Sequence, residues 1–172
     1  SMGLDTEIAV LEMGMNHFRE IAYLSNIARP DVSVIINVGS MHIEFLGSRE
    51  GIRKAKMEIT EGMEAHAPLL LNGDNDLLRN LEEVPTQPIT YFGSDEGCAV
   101  WAKDVHQEPG LLSFTVTAGE KVFPVEMALE GAHFVSDALA AVAVGLQMNV
   151  KPDKIGYALS RFHNAEGRQE IY

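Results

Sequence analysis

Four short runs, residues 8–11, 32–38, 69–71 and 89–92, are almost wholly apolar, and helical patterns separate them. A strand with one wet face alternates apolar and polar residues. A run without that alternation must be covered on both sides. Strands of this kind interleaved with helices specify parallel βαβ units, with helices on both faces of one sheet. The helical patterns fall at residues 18–28, 49–65 and 75–81. The first places Ile21, Leu24 and Ile27 on one face and stops at Pro30, because the residue before a proline avoids the helical region.

The pattern changes after Gly93. Residues 99–105, 112–117 and 122–127 read as strands, separated by the turn signals Glu108-Pro109-Gly110 and Ala118-Gly119-Glu120. These form an antiparallel β appendage over about residues 98–129. Helices return at residues 132–147 and 152–161. The fold class expected is therefore α/β: a mainly parallel sheet flanked by helices, with a small antiparallel part. At 172 residues the chain fits one domain that buries roughly 70% of its unfolded surface.

Charge and cysteine usage exclude several functions. The net charge of −12 opposes a nucleic-acid backbone, and a phosphate ligand would need a metal cation to offset it. The single cysteine, Cys98, permits no internal disulfide and no thiolate metal cage, which fits a reducing cytoplasm. No apolar run approaches the roughly 18 residues of a membrane span. No signal peptide is visible, and Ser1 ahead of Met2 has the look of a residue left by a cleaved tag.

In open α/β sheets, ligands lie beyond the carboxyl ends of the strands. Two loops there carry candidate chemistry. Glu12-Met13-Gly14-Met15-Asn16-His17 follows the first apolar run, and Gly39-Ser40-Met41-His42-Ile43-Glu44-Phe45-Leu46-Gly47-Ser48 follows the second. A carboxylate such as Glu12 can hold magnesium; taken singly, the loop is more simply a turn with a solvated glutamate. The helix after the second loop carries Lys54-Ala55-Lys56-Met57-Glu58. Lys54 and Glu58 are spaced to pair on the solvent side, and Lys56 points away from them. Asn72-Gly73-Asp74-Asn75-Asp76 is explained by helix capping alone. Gly131 to Ala141 opens an amphipathic helix, and Gly167-Arg168 lies near the end. No G-x-x-x-x-G-K-S/T phosphate loop and no dinucleotide fingerprint occurs anywhere.

In order and spacing these segments resemble the Mur ligase family over nearly the whole chain. The stretch Glu12 to Ile21 resembles E-L/M-G-A/M-N-H-x-G-E-I of the branch that adds D-alanyl-D-alanine, with Arg19 where glycine is usual. His42 to Ser48 resembles H-I/L-E-x-F/L-G-S. Lys56 matches the lysine that becomes carbamylated. Gly131 to Ala141 resembles G-x-H-N-V-x-N-A-L-A-A, with Phe134 and Asp137 replacing its two asparagines. An aspartate at the second accepts from the adenine amino group but repels the ring nitrogen.

The resemblance implies the P-loop NTPase-like central domain of a three-domain ligase. This chain, residues 1–172, would be most of that domain, beginning just after the phosphate-loop helix and ending at the join to the C-terminal domain. It implies ATP and magnesium, with Glu12, His42 and carbamylated Lys56 as catalytic metal ligands, and Asn16, His133, Asp137 and Arg168 on the nucleotide. The implied substrates are a UDP-MurNAc-peptide and D-alanyl-D-alanine. Two other readings stand beside it: a related amide ligase of the folylpolyglutamate or cyanophycin type, and a non-catalytic binding module that lost the phosphate loop.

Overall fold

Leu69, Leu70 and Leu71 are all fully buried, yet they face two different cores. Leu70 packs with Phe92, Leu139 and Val142, while Leu69 and Leu71 pack with Ile52, Ala55 and Leu78. The strand that carries them, β2 (Leu69–Asn72), therefore has no wet face, as its composition requires. The computed structural model describes residue 3, residues 5–41 and residues 43–162.

Among the described residues the sheet has six strands in the order in which they occur: β1 (Ser33–Ile35), β2, β3 (Ile89–Gly93), β4 (Val100–Glu108), β5 (Leu111–Ala118) and β6 (Lys121–Met127). β1 to β4 are parallel, and β4 to β6 form the antiparallel meander. β3 and β4 share only the pairs Phe92–Val100 and Gly93–Trp101, so the short link between them need not cross a full strand length. The meander is thus a continuation of the parallel sheet. Between Lys103 and His106 the ladder shifts register, and Asp104 there has φ 53°.

Helices α1 (Glu20–Ala28), α3 (Arg49–Met57) and α4 (Asp76–Arg79) send Ile21, Ile52, Ala55 and Leu78 into one core. Helices α5 (His133–Gln147) and α6 (Pro152–Ser160) send Val135, Leu139, Val142, Ile155 and Leu159 into the other. A further short helix, α2 (Ile43–Leu46), lies within the second candidate loop. Ser48 starts α3 by accepting the Gly51 N–H at 3.1 Å. The expected single helix over 49–65 is instead α3 followed by a 3-10 turn, Glu58–Gly62. The Thr60 hydroxyl donates to Met57 O at 2.8 Å, a local bond that competes with continued α-helix.

One expected strand does not form. Residues 8–11 form no strand or helix, and Ile8, Val10 and Leu11 are 63%, 92% and 58% exposed. Apolar, β-prone residues make a strand only where a neighbour supplies the ladder. Among the described residues, β1 is the edge of the sheet and no strand lies beyond it.

Candidate functional site

The carboxyl ends of β1 and β2 are joined by asparagines. Asn72, the last residue of β2, donates to Ile36 O at 2.9 Å and to the Ser136 hydroxyl at 3.0 Å. Its own side-chain oxygen accepts the Asp74 N–H at 2.9 Å. One nearly buried amide thus ties the end of β1, the end of β2 and the first turn of α5. Asn75 caps α4 through the N–H groups of Leu77 and Leu78, both at 3.2 Å. Its amide nitrogen reaches across to Asn37 Oδ1 at 2.9 Å and Val38 O at 3.3 Å. Arg49, at the start of α3, donates to Val38 O at 3.0 Å and forks onto Asp76 at 2.6 and 2.9 Å. That fork holds the Asp76 carboxyl below its ordinary range.

Two carboxylates hold the first motif segment. Glu20 turns back to accept the N–H groups of Asn16 at 2.6 Å and His17 at 3.1 Å, and its pKa falls through those bonds. Glu58 accepts the Arg19 N–H with both oxygens, at 2.9 and 2.8 Å, and the Ala22 N–H at 3.4 Å. It serves as a cap for α1 from across the fold. Met15 enters the same core as Leu46, Ile52 and Ala55, and the His17 ring lies 5.3 Å from that of Phe45 in α2. The three motif-bearing segments therefore touch: the first loop meets the second at Phe45 and the third at Glu58.

Arg19 sits at φ 75°, in the left-handed region, with its guanidinium on Glu61 at 2.6 and 2.9 Å. Glycine would hold that backbone without strain. The usual order of alanine and glycine should therefore invert at this position. Arg19→Gly is expected to be more stable than Arg19→Ala by about 1 kcal/mol, because alanine keeps the strain and both lose the same exposed ion pair. Urea denaturation of the two variants checks this; an alanine variant of equal or greater stability contradicts it.

The profile of the Mur ligase middle domain matches residues 1–145. The chain belongs to the Mur ligase family. A UDP-N-acetylmuramoyl-tripeptide--D-alanyl-D-alanine ligase of Bacillus subtilis (strain 168) is 38% identical over 160 residues, which are 93% of this chain and 34% of that protein. The corresponding ligase of Escherichia coli (strain K12) is 29% identical, over 94% of this chain and 36% of that one. A crystal structure of MurF from Acinetobacter baumannii superposes with TM-score 0.83 at 31% identity, covering 90% of this chain and 34% of that chain. MurF from Thermotoga maritima in complex with ADP gives 0.77 at 31%, over 91% and 36%. The chain thus spans about a third of the length of these relatives.

Within this Mur ligase domain the candidate residues fall as follows. Glu12 and Asn16 are exposed on the first loop. Lys56, in the last turn of α3, is about half buried, and desolvation pulls its pKa down. His133 and Asp137 are exposed on the opening turns of α5, flanking the Ser136 that Asn72 holds. His42 and Arg168 lie outside the described residues. The expected Lys54–Glu58 pair gives way to bonds between Glu58 and α1, where its carboxylate accepts the Arg19 and Ala22 N–H groups. Sequence reasoning missed Asn37, the outward reach of Asn72 and Asn75, Ser136, and Glu58 as a cap. Asparagines clustered just past two apolar runs were the one available signal.

Proposed function

We propose that this chain is the middle domain of an ATP-dependent ligase that joins D-alanyl-D-alanine to a UDP-N-acetylmuramoyl-tripeptide in peptidoglycan synthesis. The observation that carries this is the joining of the three motif segments, His17 against Phe45 and Arg19 on Glu58, in a chain 38% identical to a ligase of that name. In the reaction proposed, the terminal carboxylate of the tripeptide takes the γ-phosphoryl group of ATP. The amine of D-alanyl-D-alanine then attacks the acyl phosphate, and the tetrahedral adduct expels phosphate. The cytoplasm, where ATP and a UDP-linked precursor are both at hand, is the compartment proposed. Among the described residues no helix is long and apolar enough to cross a membrane.

Magnesium is proposed at Glu12, His42 and Lys56 as a carbamate; histidine is an unusual ligand for so hard a cation, and its role rests on the family resemblance. When bound, magnesium offsets charge on the transferring phosphoryl group. Glu12 offers a hard anionic oxygen. Lys56 as an ammonium offers nothing to a cation, but its partly desolvated amine is more readily neutral than an exposed lysine's. The neutral nitrogen adds its lone pair to the carbon of carbon dioxide. An N–C bond forms, a proton leaves to solvent, and the resulting carbamate presents two anionic oxygens. His42 completes the proposed set. Asn16, His133, Asp137 and Arg168 are proposed for the nucleotide. Asp137 can accept from the adenine amino group, while its charge opposes the ring nitrogen that an asparagine would satisfy.

The chain by itself should not turn over. A phosphate loop supplies a cradle of N–H groups and a lysine, and the sequence contains no such loop. A triphosphate approaching a net charge of −12 without that cradle meets repulsion. Calorimetry should therefore give Mg-ATP affinity on the order of millimolar or weaker. The full-length ligase should release phosphate only when both tripeptide precursor and D-alanyl-D-alanine are present. Phosphate release by the chain alone, or release indifferent to D-alanyl-D-alanine in the full-length protein, would count against the proposal.

A further inference from the structure

We infer that Glu58 is a positioning residue, whose carboxylate on the Arg19 N–H fixes the Glu12–His17 loop against the turn that carries Lys56. This rests on the reading of that loop and Lys56 as parts of one metal-binding site.

The inference begins with a helix that cannot cap itself. The residue before α1 is Arg19, which is left-handed and makes no side-chain cap bond. Glu20, the nearest carboxylate, faces backward onto Asn16 and His17. The forward N–H groups, those of Arg19 and Ala22, are met by Glu58, 39 and 36 residues further along. Glu58 lies two residues beyond Lys56 and is the first residue of the 3-10 turn. Its carboxylate lies on the N–H groups at the start of α1. The turn that follows the lysine's helix therefore holds the exit of the first loop. Arg19 strengthens the hold, since its guanidinium binds Glu61 in the same 3-10 turn.

The loop between Glu12 and Arg19 is then fastened at its end by Glu58, at Asn16 and His17 by Glu20, and in the core by Met15. Among the described residues, the bonds to Glu58 and the Arg19–Glu61 ion pair join the end of the loop to the 3-10 turn after Lys56, while Met15 packs in the core that Ile52 and Ala55 of α3 also enter. A cap that merely stabilised α1 would leave the loop in place when lost, held by Glu20 and Met15. A positioning carboxylate would release the loop as well.

Two measurements separate these. In the chain, backbone amide exchange is compared for wild type, Glu58→Gln and Glu58→Ala. The alanine variant should lose protection at Arg19 and Ala22, and exchange at Asn16 and His17 should speed up tenfold or more although Glu20 is intact. The glutamine variant should recover most of it through its carbonyl oxygen. Loss confined to Arg19 and Ala22 overturns the inference. In the full-length ligase, Glu58→Ala should raise the magnesium concentration for half-maximal turnover tenfold or more, with the KM for the tripeptide precursor within twofold of wild type. An unchanged magnesium requirement overturns it too. Lys56→Ala is run beside it. Full turnover by that variant would remove the reading of the metal site, and the exchange measurement would still decide whether Glu58 places the loop.

Discussion

On the function proposed above, Lys56→Ala in the full-length protein is expected to lower kcat on the order of 10²–10³-fold while leaving the KM for D-alanyl-D-alanine nearly unchanged. The size follows from the role proposed for Lys56, as one electrostatic partner of the transferring phosphoryl group, a partner whose loss elsewhere costs about that much. If the lysine acts as a carbamate, a short carboxylate added to the alanine variant restores part of the rate, because it supplies the same anionic oxygens. An alanine variant with more than half of wild-type turnover would end the proposed role. The same side chain should also cost stability. Burial lowers the Lys56 pKa below its unfolded value, so the unfolded chain binds more protons at any pH between the two. Stability on this account rises as pH climbs through that interval, and it is lowest below the folded pKa. Lys56→Met should therefore melt higher than wild type at pH 6, with the gap narrowing as pH rises toward the ordinary lysine value. Melting curves at several pH values test this, and a methionine variant less stable at pH 6 would refute it.

Gly62→Ala is expected to destabilise the chain by about 2–3 kcal/mol, lowering Tm by roughly 5–10 °C. An added Cβ at Gly62 would lie 2.2 Å from the backbone carbonyl of Ser25, closer than any real contact. Ser25 cannot yield easily. It is fully buried in the middle of α1, and its hydroxyl donates to Ile59 O in the 3-10 turn. The helix must move as a body, and doing so strains the bonds from Glu58 to Arg19 and Ala22. A thermal melt within 2 °C of wild type would show that α1 shifts at little cost.

The parts of this molecule that sequence made legible are those decided by short-range pattern. Leu69, Leu70 and Leu71 announced a strand covered on both faces, and both cores use it. Asn75 announced a cap, and it caps α4. The offset of Lys56 from Lys54 announced a different environment, and Lys56 is half buried where Lys54 is exposed. What stayed hidden depends on a partner distant in sequence. Ile8, Val10 and Leu11 have strand composition, but composition cannot reveal whether a ladder partner exists. Glu58 reads as half of a helical ion pair, and only the folded chain shows Arg19 in its place. Asn37, Asn72 and Ser136 belong to three separate segments, and nothing local links them. The departure at Arg19 was visible only against the family pattern, and its φ of 75° now explains why glycine is usual there.

The order of the strands across the sheet is also their order along the chain. Such a sheet can be laid down by accretion during synthesis. As each strand leaves the ribosome, the neighbour it must pair with has already emerged, and none need wait for a strand still to be made. The two faces close at different times. Ile21, Ile52 and Ala55 can cover one side of β2 once the first half is out, whereas Leu70 waits for Leu139 and Val142 of α5. Until then the second face of β2 is bare, and Asn72 lacks the Ser136 hydroxyl that later fastens α5 over it. A pause in translation before α5 has emerged would prolong that exposure and favour aggregation.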